Sequence, residues 1–155
     1  RKQVTDMVSG LTESEIFSRY EILLENYCKT LHIEAKTLKE MVTKDFLPAL
    51  MEYSGFITDT ILSKKEAAGL PCTAETKLLT KLSGYYDSIS DMVEKLDEDT
   101  KKAEKIDALY AMATFYHETI ISDMETLRAV ADEAEELIPD SVLPYPSYSQ
   151  LLFSI

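Results

Sequence analysis

A chain of 155 residues fits one domain, and a helical domain of this size hides roughly 70% of its extended-chain surface. Asp and Glu number 28 against 16 Lys and Arg, a net charge of −12 that repels phosphate backbones and anionic headgroups, so neither nucleic acid nor a membrane is expected as a partner. With 45% apolar residues and only four glycines and five prolines, long uninterrupted helices are favoured.

Acidity alone names no partner, because Glu and Asp on helix exteriors also keep soluble proteins dispersed. Cys28 and Cys72 stand far apart without a CxxC pairing, which supports neither a disulfide framework nor a zinc site and suits a reducing cytoplasm. No apolar run approaches ~20 residues and no charged-then-apolar leader is present. The first residue is Arg1 rather than Met, so a segment of a longer protein is expected.

Residues 1–11 are mixed and poorly periodic. Thr12-Glu13-Ser14-Glu15 then has the Thr-x-x-Glu spacing of a capping box, which predicts a helix start. The apolar stripe Ile16, Tyr20, Leu23, Leu24, Tyr27, Leu31, Ala35, Leu38, Val42 steps by three and four and predicts one inward face. Pro48 removes a backbone donor, but apolar spacing resumes at Leu50, Tyr53, Ile57 and Ile61, so a kink rather than a stop is expected. One bent rod from Glu13 to Lys65 would be about 80 Å long at ~1.5 Å per residue and would protrude from a larger body.

Gly69-Leu70-Pro71 ends that rod, with Thr73 as the expected cap of the next helix. The second stripe runs from Leu78 through Leu82, Tyr85, Ile89 and Val93 to Leu96, with Gly84 a weak point of about 1 kcal/mol. The charged run from Asp97 to Lys105 predicts a turn near Asp97 to Thr100, the alternative being a solvated stretch of one continuous helix. A third stripe includes Ile106, Leu109, Tyr110, Ala113, Tyr116, Ile120, Met124, Leu127, Ala134 and Leu137. Past Pro139 the tail Leu143-Pro144-Tyr145-Pro146-Ser147-Tyr148 is expected to be extended and to end in the apolar Leu151-Leu152-Phe153. The expected fold is all-α: a single domain over residues 1–155, an antiparallel bundle of about three long helices with the first kinked at Pro48.

Constellations for chemistry are sparse. A di-iron bundle needs Glu-x-x-His, but Lys29 precedes His32 and Thr114 precedes His117 at that spacing. His32-Ile33-Glu34-Ala35-Lys36 matches a histidine phosphotransfer module only weakly. No glycine-rich phosphate loop or nucleophile elbow exists, and Glu13, Glu15, Glu94, Asp97, Glu98 and Asp99 read as solvated helix ends rather than a cation site. No catalytic, cofactor-binding or metal-ligating residue is therefore assigned. Tyr145, Pro146, Tyr148, Leu151, Leu152 and Phe153 are the candidate docking residues, because a proline-fixed, apolar-ended tail suits a protein surface.

The stretch Ser18-Arg19-Tyr20-Glu21-Ile22-Leu23-Leu24-Glu25-Asn26-Tyr27, continued by residues 31–38 and by Met41-Val42-x-Lys44-Asp45-x-Leu47-Pro48-Ala49, resembles the segment beyond the catalytic barrel of type III glutamine synthetases. Residues 124–133 are similar to their last long helix, and residues 144–153 to their C-terminus. The resemblance implies a cytoplasmic parent that ligates ammonia to L-glutamate with ATP and Mg or Mn, through a γ-glutamyl phosphate, in a large ring that is expected to be a dodecamer. It places the catalytic residues upstream, so this segment is expected to be a structural C-terminal domain, docked on the parent's catalytic domain and neighbouring subunits. The alternative is an independent regulatory or adaptor bundle that binds a protein partner or an effector.

Overall fold

The computed structural model describes Gly10 and residues 12–145, and these form helices without a strand. Three rods account for them. The first comprises α1 (Glu13–Met41), a π-helical turn (Val42–Phe46) and α2 (Leu47–Ala68). The second is α3 (Thr73–Glu104). The third comprises α4 (Leu109–Phe115), a second π turn (Tyr116–Ile120) and α5 (Ile121–Glu135).

Local chemistry explains the ends. Thr12 caps α1 through a reciprocal pair, its Oγ accepting from the Glu15 amide at 3.1 Å while the Glu15 carboxylate accepts from the Thr12 amide at 3.2 Å. Gly69 closes α2 at φ 60°, a left-handed conformation that a Cβ disfavours. Cys72, not Thr73, is the N-cap of α3; it sits at φ 49° without a side-chain cap, its buried thiol 3.9 Å from the Ile61 carbonyl. Thr73 is already helical, which corrects the expectation from the sequence.

Cross-rod pairs fix the antiparallel register. Lys64 meets Glu75 at 3.1 Å near the first turn, Lys39 meets Asp97 midway, and His32 faces Glu104 at 3.5 Å near the end of α3. The third rod returns along α3: Lys95 meets Asp123 at 2.7 Å, and further on Tyr85 meets Glu133 at 3.4 Å. Accordingly α2 packs on α3, α5 packs on α3, and α4 packs on α1. The bundle is three rods deep only in its middle. Beyond that, α2 and the start of α3 form a two-helix hairpin, and the first turns of α1 project past their neighbours.

The core follows from this arrangement. On α3, Leu82, Ile89, Leu96 and Ala103 recur every seven residues and are buried completely or nearly so, facing Leu38, Phe46 and Leu50 of the first rod and Ile120, Met124 and Leu127 of the third. A seam of this depth supplies the main stabilisation, since each buried Leu or Ile contributes about 1.5–3 kcal/mol.

Three expectations need correction. The chain does not turn at Asp97 to Thr100: α3 runs on to Glu104, and the reversal occupies residues 105–108. The charged run stays helical because Lys95 pairs with Asp99 and Lys101 with Asp97 at i,i+4, each at 2.9 Å, while Leu96 and Ala103 carry the buried stripe through it. Tyr110, expected inward, is exposed because it lies in the first turn of α4. Tyr20 and Leu23 are exposed because, among the described residues, no neighbouring rod reaches them. The interruption expected at Pro48 is present as the π turn just before it, where the Leu47 amide donates to the Val42 carbonyl and the rod continues.

Leu82→Ala should lower the unfolding free energy by about 2–4 kcal/mol in urea titrations, whereas the exposed Ile33→Ala should stay within about 0.5 kcal/mol. Thr100→Pro should cost about 3 kcal/mol or more; a turn at that position would instead accept the proline with little change.

Candidate functional site

The histidine singled out by the sequence sits at a joint between all three rods. His32 on α1 is half-buried; its Nδ1 lies 3.3 Å from the Tyr116 hydroxyl and its Nε2 3.5 Å from the Glu104 carboxylate. Facing a carboxylate, Nε2 carries the hydrogen, which leaves Nδ1 to accept from the Tyr116 O–H. Burial pushes the Tyr116 hydroxyl above its ordinary range, with Cys28 and Glu104 adding to the effect. Neither ring nitrogen is open, and Glu104 would repel an incoming phosphoryl group, so the geometry disfavours phosphotransfer at His32. On the neighbouring turn of α1, Tyr27 and His117 make a similar contact at 3.0 Å.

Two cavities meet at His32 and Glu104. One of about 470 Å³ is lined by Cys28, Ile33, Met112 and Tyr116, and one of about 280 Å³ by Lys36, Lys39, Asp97 and Lys101. The charges of the second are largely spent on each other. Hydrogen bonds from Lys39 first, then Lys101, hold the Asp97 carboxyl below the usual carboxylate range, and Asp97 raises Lys101 in return. The groove is therefore a braced joint between α1 and α3 rather than a socket with open charges.

The remaining candidates are placed as follows. Both cysteines are buried, and burial raises both thiols, with Glu75 adding to the effect at Cys72, so neither is poised as a nucleophile. Among the acidic residues, Glu15 closes the helix cap, while Asp97 and Asp99 lie in ion pairs with lysines. No group of three or more His, Cys, Asp or Glu converges among the described residues.

Of the docking candidates, Tyr145 is half-buried against the bundle's own core, next to buried Leu143. Burial first, then Glu135, Asp45 and Asp132, push its hydroxyl up to about 12, which places it beside α5 and the first π turn. Pro146, Tyr148, Leu151, Leu152 and Phe153 lie outside the described residues.

One surface was not singled out by sequence reasoning. The first turns of α1 expose Phe17 (60%), Tyr20, Ile22 and Leu23 (66%). The signal was available: Ile16, Phe17, Tyr20, Ile22, Leu23 and Leu24 wrap the helix instead of lining one stripe, and a helix apolar on several faces is built to be covered. A second exposed apolar set, Met51, Phe56 and Leu62, lies on α2, where the Phe56 ring stacks on Tyr53 with centroids 6.5 Å apart.

Comparisons with known proteins bear on this arrangement. The family model described as the glutamine synthetase C-terminal domain matches residues 2–65, which include nearly the whole first rod and its projecting end. A glutamine synthetase of Butyrivibrio fibrisolvens is 43% identical over 93% of this chain and 21% of its own length. A type-3 glutamine synthetase of Dictyostelium discoideum is 29% identical over 92% of this chain and 20% of its own. A glutamine synthetase of Bacteroides fragilis (strain YCH46) is 25% identical over the same shares. The chain thus spans about a fifth of the length of the relatives it matches. The family-model match over residues 2–65, together with similarity to these relatives over more than nine-tenths of this chain, relates it to the C-terminal domain of glutamine synthetases.

Proposed function

We propose that this chain is the structural C-terminal domain of a cytoplasmic type III glutamine synthetase. It packs on the catalytic domain of its parent and supports assembly of the ring, which we take to be a dodecamer. The parent ligates ammonia to L-glutamate at the expense of ATP with Mg or Mn, and the residues that do so lie on the part of the polypeptide outside this chain. The observation that carries the reading is the exposed apolar end of α1, Phe17, Tyr20, Ile22 and Leu23, within the stretch that the family model matches. In a parent about five times longer with this domain at its C-terminus, the preceding polypeptide would enter on the side of α1. Covalent proximity of this kind raises the effective concentration of a docking partner to roughly the millimolar range. Apolar side chains of that size, left in water, are the kind that anchor such contacts.

The C-terminal candidates belong to the same proposal. Tyr145 would anchor the tail on the bundle, and Pro146, Tyr148, Leu151, Leu152 and Phe153 would extend the contact to the parent body. No helix among the described residues is long and apolar enough to cross a membrane.

Two measurements on the full-length parent test this. Removal of residues 13–155 should abolish both ATP-dependent γ-glutamyl transfer and ring assembly by native mass; an active, fully assembled truncation would make the bundle an accessory module. Phe17→Ser with Leu23→Ser should leave the isolated chain's unfolding free energy within about 0.5 kcal/mol, since both are exposed, while lowering the assembled fraction of the parent. Intact assembly with both substitutions would move the docking surface away from α1.

A further inference from the structure

The seam between α3 and α5 contains a charge arrangement that the bundle's architecture does not require. Asp99 of α3 and Asp123 of α5 each have a side chain only 9% exposed, and both reach for one cation. Lys95 Nζ stands 2.9 Å from Asp99 Oδ2 and 2.7 Å from Asp123 Oδ1. Lys102, on the same helix, approaches Asp99 Oδ1 at 3.7 Å. The other Asp123 oxygen, Oδ2, is buried without a hydrogen-bond partner.

The two buried carboxylates share one close ammonium, and the second cation, Lys102, reaches Asp99 alone, so Asp123 is the under-compensated member of the pair. A buried acceptor without a partner is costly, and more so when it is charged. A proton on Asp123 relieves both difficulties at once. It removes the under-compensated charge of Asp123 and converts the orphaned oxygen into a donor toward Asp99, while Asp123 Oδ1 goes on accepting from Lys95. The first rod's ion pair with this part of α3 joins Lys39 to a different carboxylate, Asp97, so the charged groups that act on the pair are Lys95 and Lys102.

We propose that Asp99 and Asp123 hold one proton between them, making the α3–α5 seam a proton-binding site that loosens when the proton leaves. The tendencies of the two groups agree with this. For Asp123, burial and then Asp99 push the carboxyl up, whereas the hydrogen bond from Asp123 and then the bond from Lys95 draw Asp99 down. A group whose folded pKa is raised contributes stability that is complete below its unfolded value and is lost as pH rises through the folded one. The protonated Asp123 is therefore the stabilising form, and it is lost as pH rises through the raised folded value.

The test uses the full chain and two readouts. Urea unfolding of wild type and Asp123→Asn is compared between about pH 4 and about pH 9; the amide keeps a donor at the seam and cannot ionise. The variant should gain stability relative to wild type as pH rises. A difference that stays constant, or that turns against the variant as pH rises, overturns the proposal. Carbon-13 NMR of the Asp carboxyl groups in the wild-type chain decides independently of whether the variant folds. One carbon of the pair should titrate above the ordinary range of about 3.9, and Asp99→Asn should bring it back down. Both carbons titrating at or below about 3.9 would refute a shared proton.

Discussion

Everything else in the domain depends on α3 having a neighbour on each side. Its seven-residue seam, Leu82, Ile89, Leu96 and Ala103, is the line along which the core closes, with the first rod against one flank and the third against the other. Because α3 is shorter than the first rod and longer than the third, the neighbours overlap only over a central stretch. That mismatch produces the other features: a compact three-rod middle, a two-helix hairpin at one end, and at the other a length of α1 whose apolar residues are left uncovered by the described residues.

The ionic contacts are subordinate to this seam but set its register. Lys39 with Asp97, Lys64 with Glu75 and His32 with Glu104 occur at successive levels between the first rod and α3. A slip of one helical turn would break all of them together, although each alone contributes about 1 kcal/mol or less at such exposure. The acidic surface therefore has two populations. Most carboxylates face solvent and keep the chain soluble, while Asp97, Asp99 and Asp123 act as fastenings between or along helices.

Much of this was legible in the sequence, for identifiable reasons. The Thr12 to Glu15 cap, the Gly69 stop and the stripe from Leu31 through Leu38 rest on local chemistry and helical period, which tertiary packing left unchanged. The errors came where local and tertiary signals diverge. The charged run after Leu96 looked like a turn because charge density was weighed above the i,i+4 pairing of Lys95 with Asp99 and Lys101 with Asp97. Tyr20 and Leu23 fitted an inward stripe, but periodicity reports only which face a residue shares, not whether a neighbour is there. Of the candidate site, the joint at His32 brings together residues 84 positions apart in sequence, and no spacing rule links His32 to Tyr116. Resemblance carried the functional assignment, and periodicity could not have supplied it.

The two π turns bear on how this domain can change over evolution. Each stands where the buried spacing takes consecutive steps of four, Val42, Phe46, Leu50 in the first rod and Tyr116, Ile120, Met124 in the third. On a regular helix each such step overshoots by about 40°, and a turn holding one extra residue takes up that excess. A single-residue deletion inside either turn could thus be absorbed by closing it to ordinary α-helix, with the downstream stripe still facing inward. The same deletion in α3, which has no such turn, would rotate half of the seam by about 100° and carry its buried side chains out of the core. Length variation among relatives should accordingly be tolerated in the outer rods and purged from the one between them.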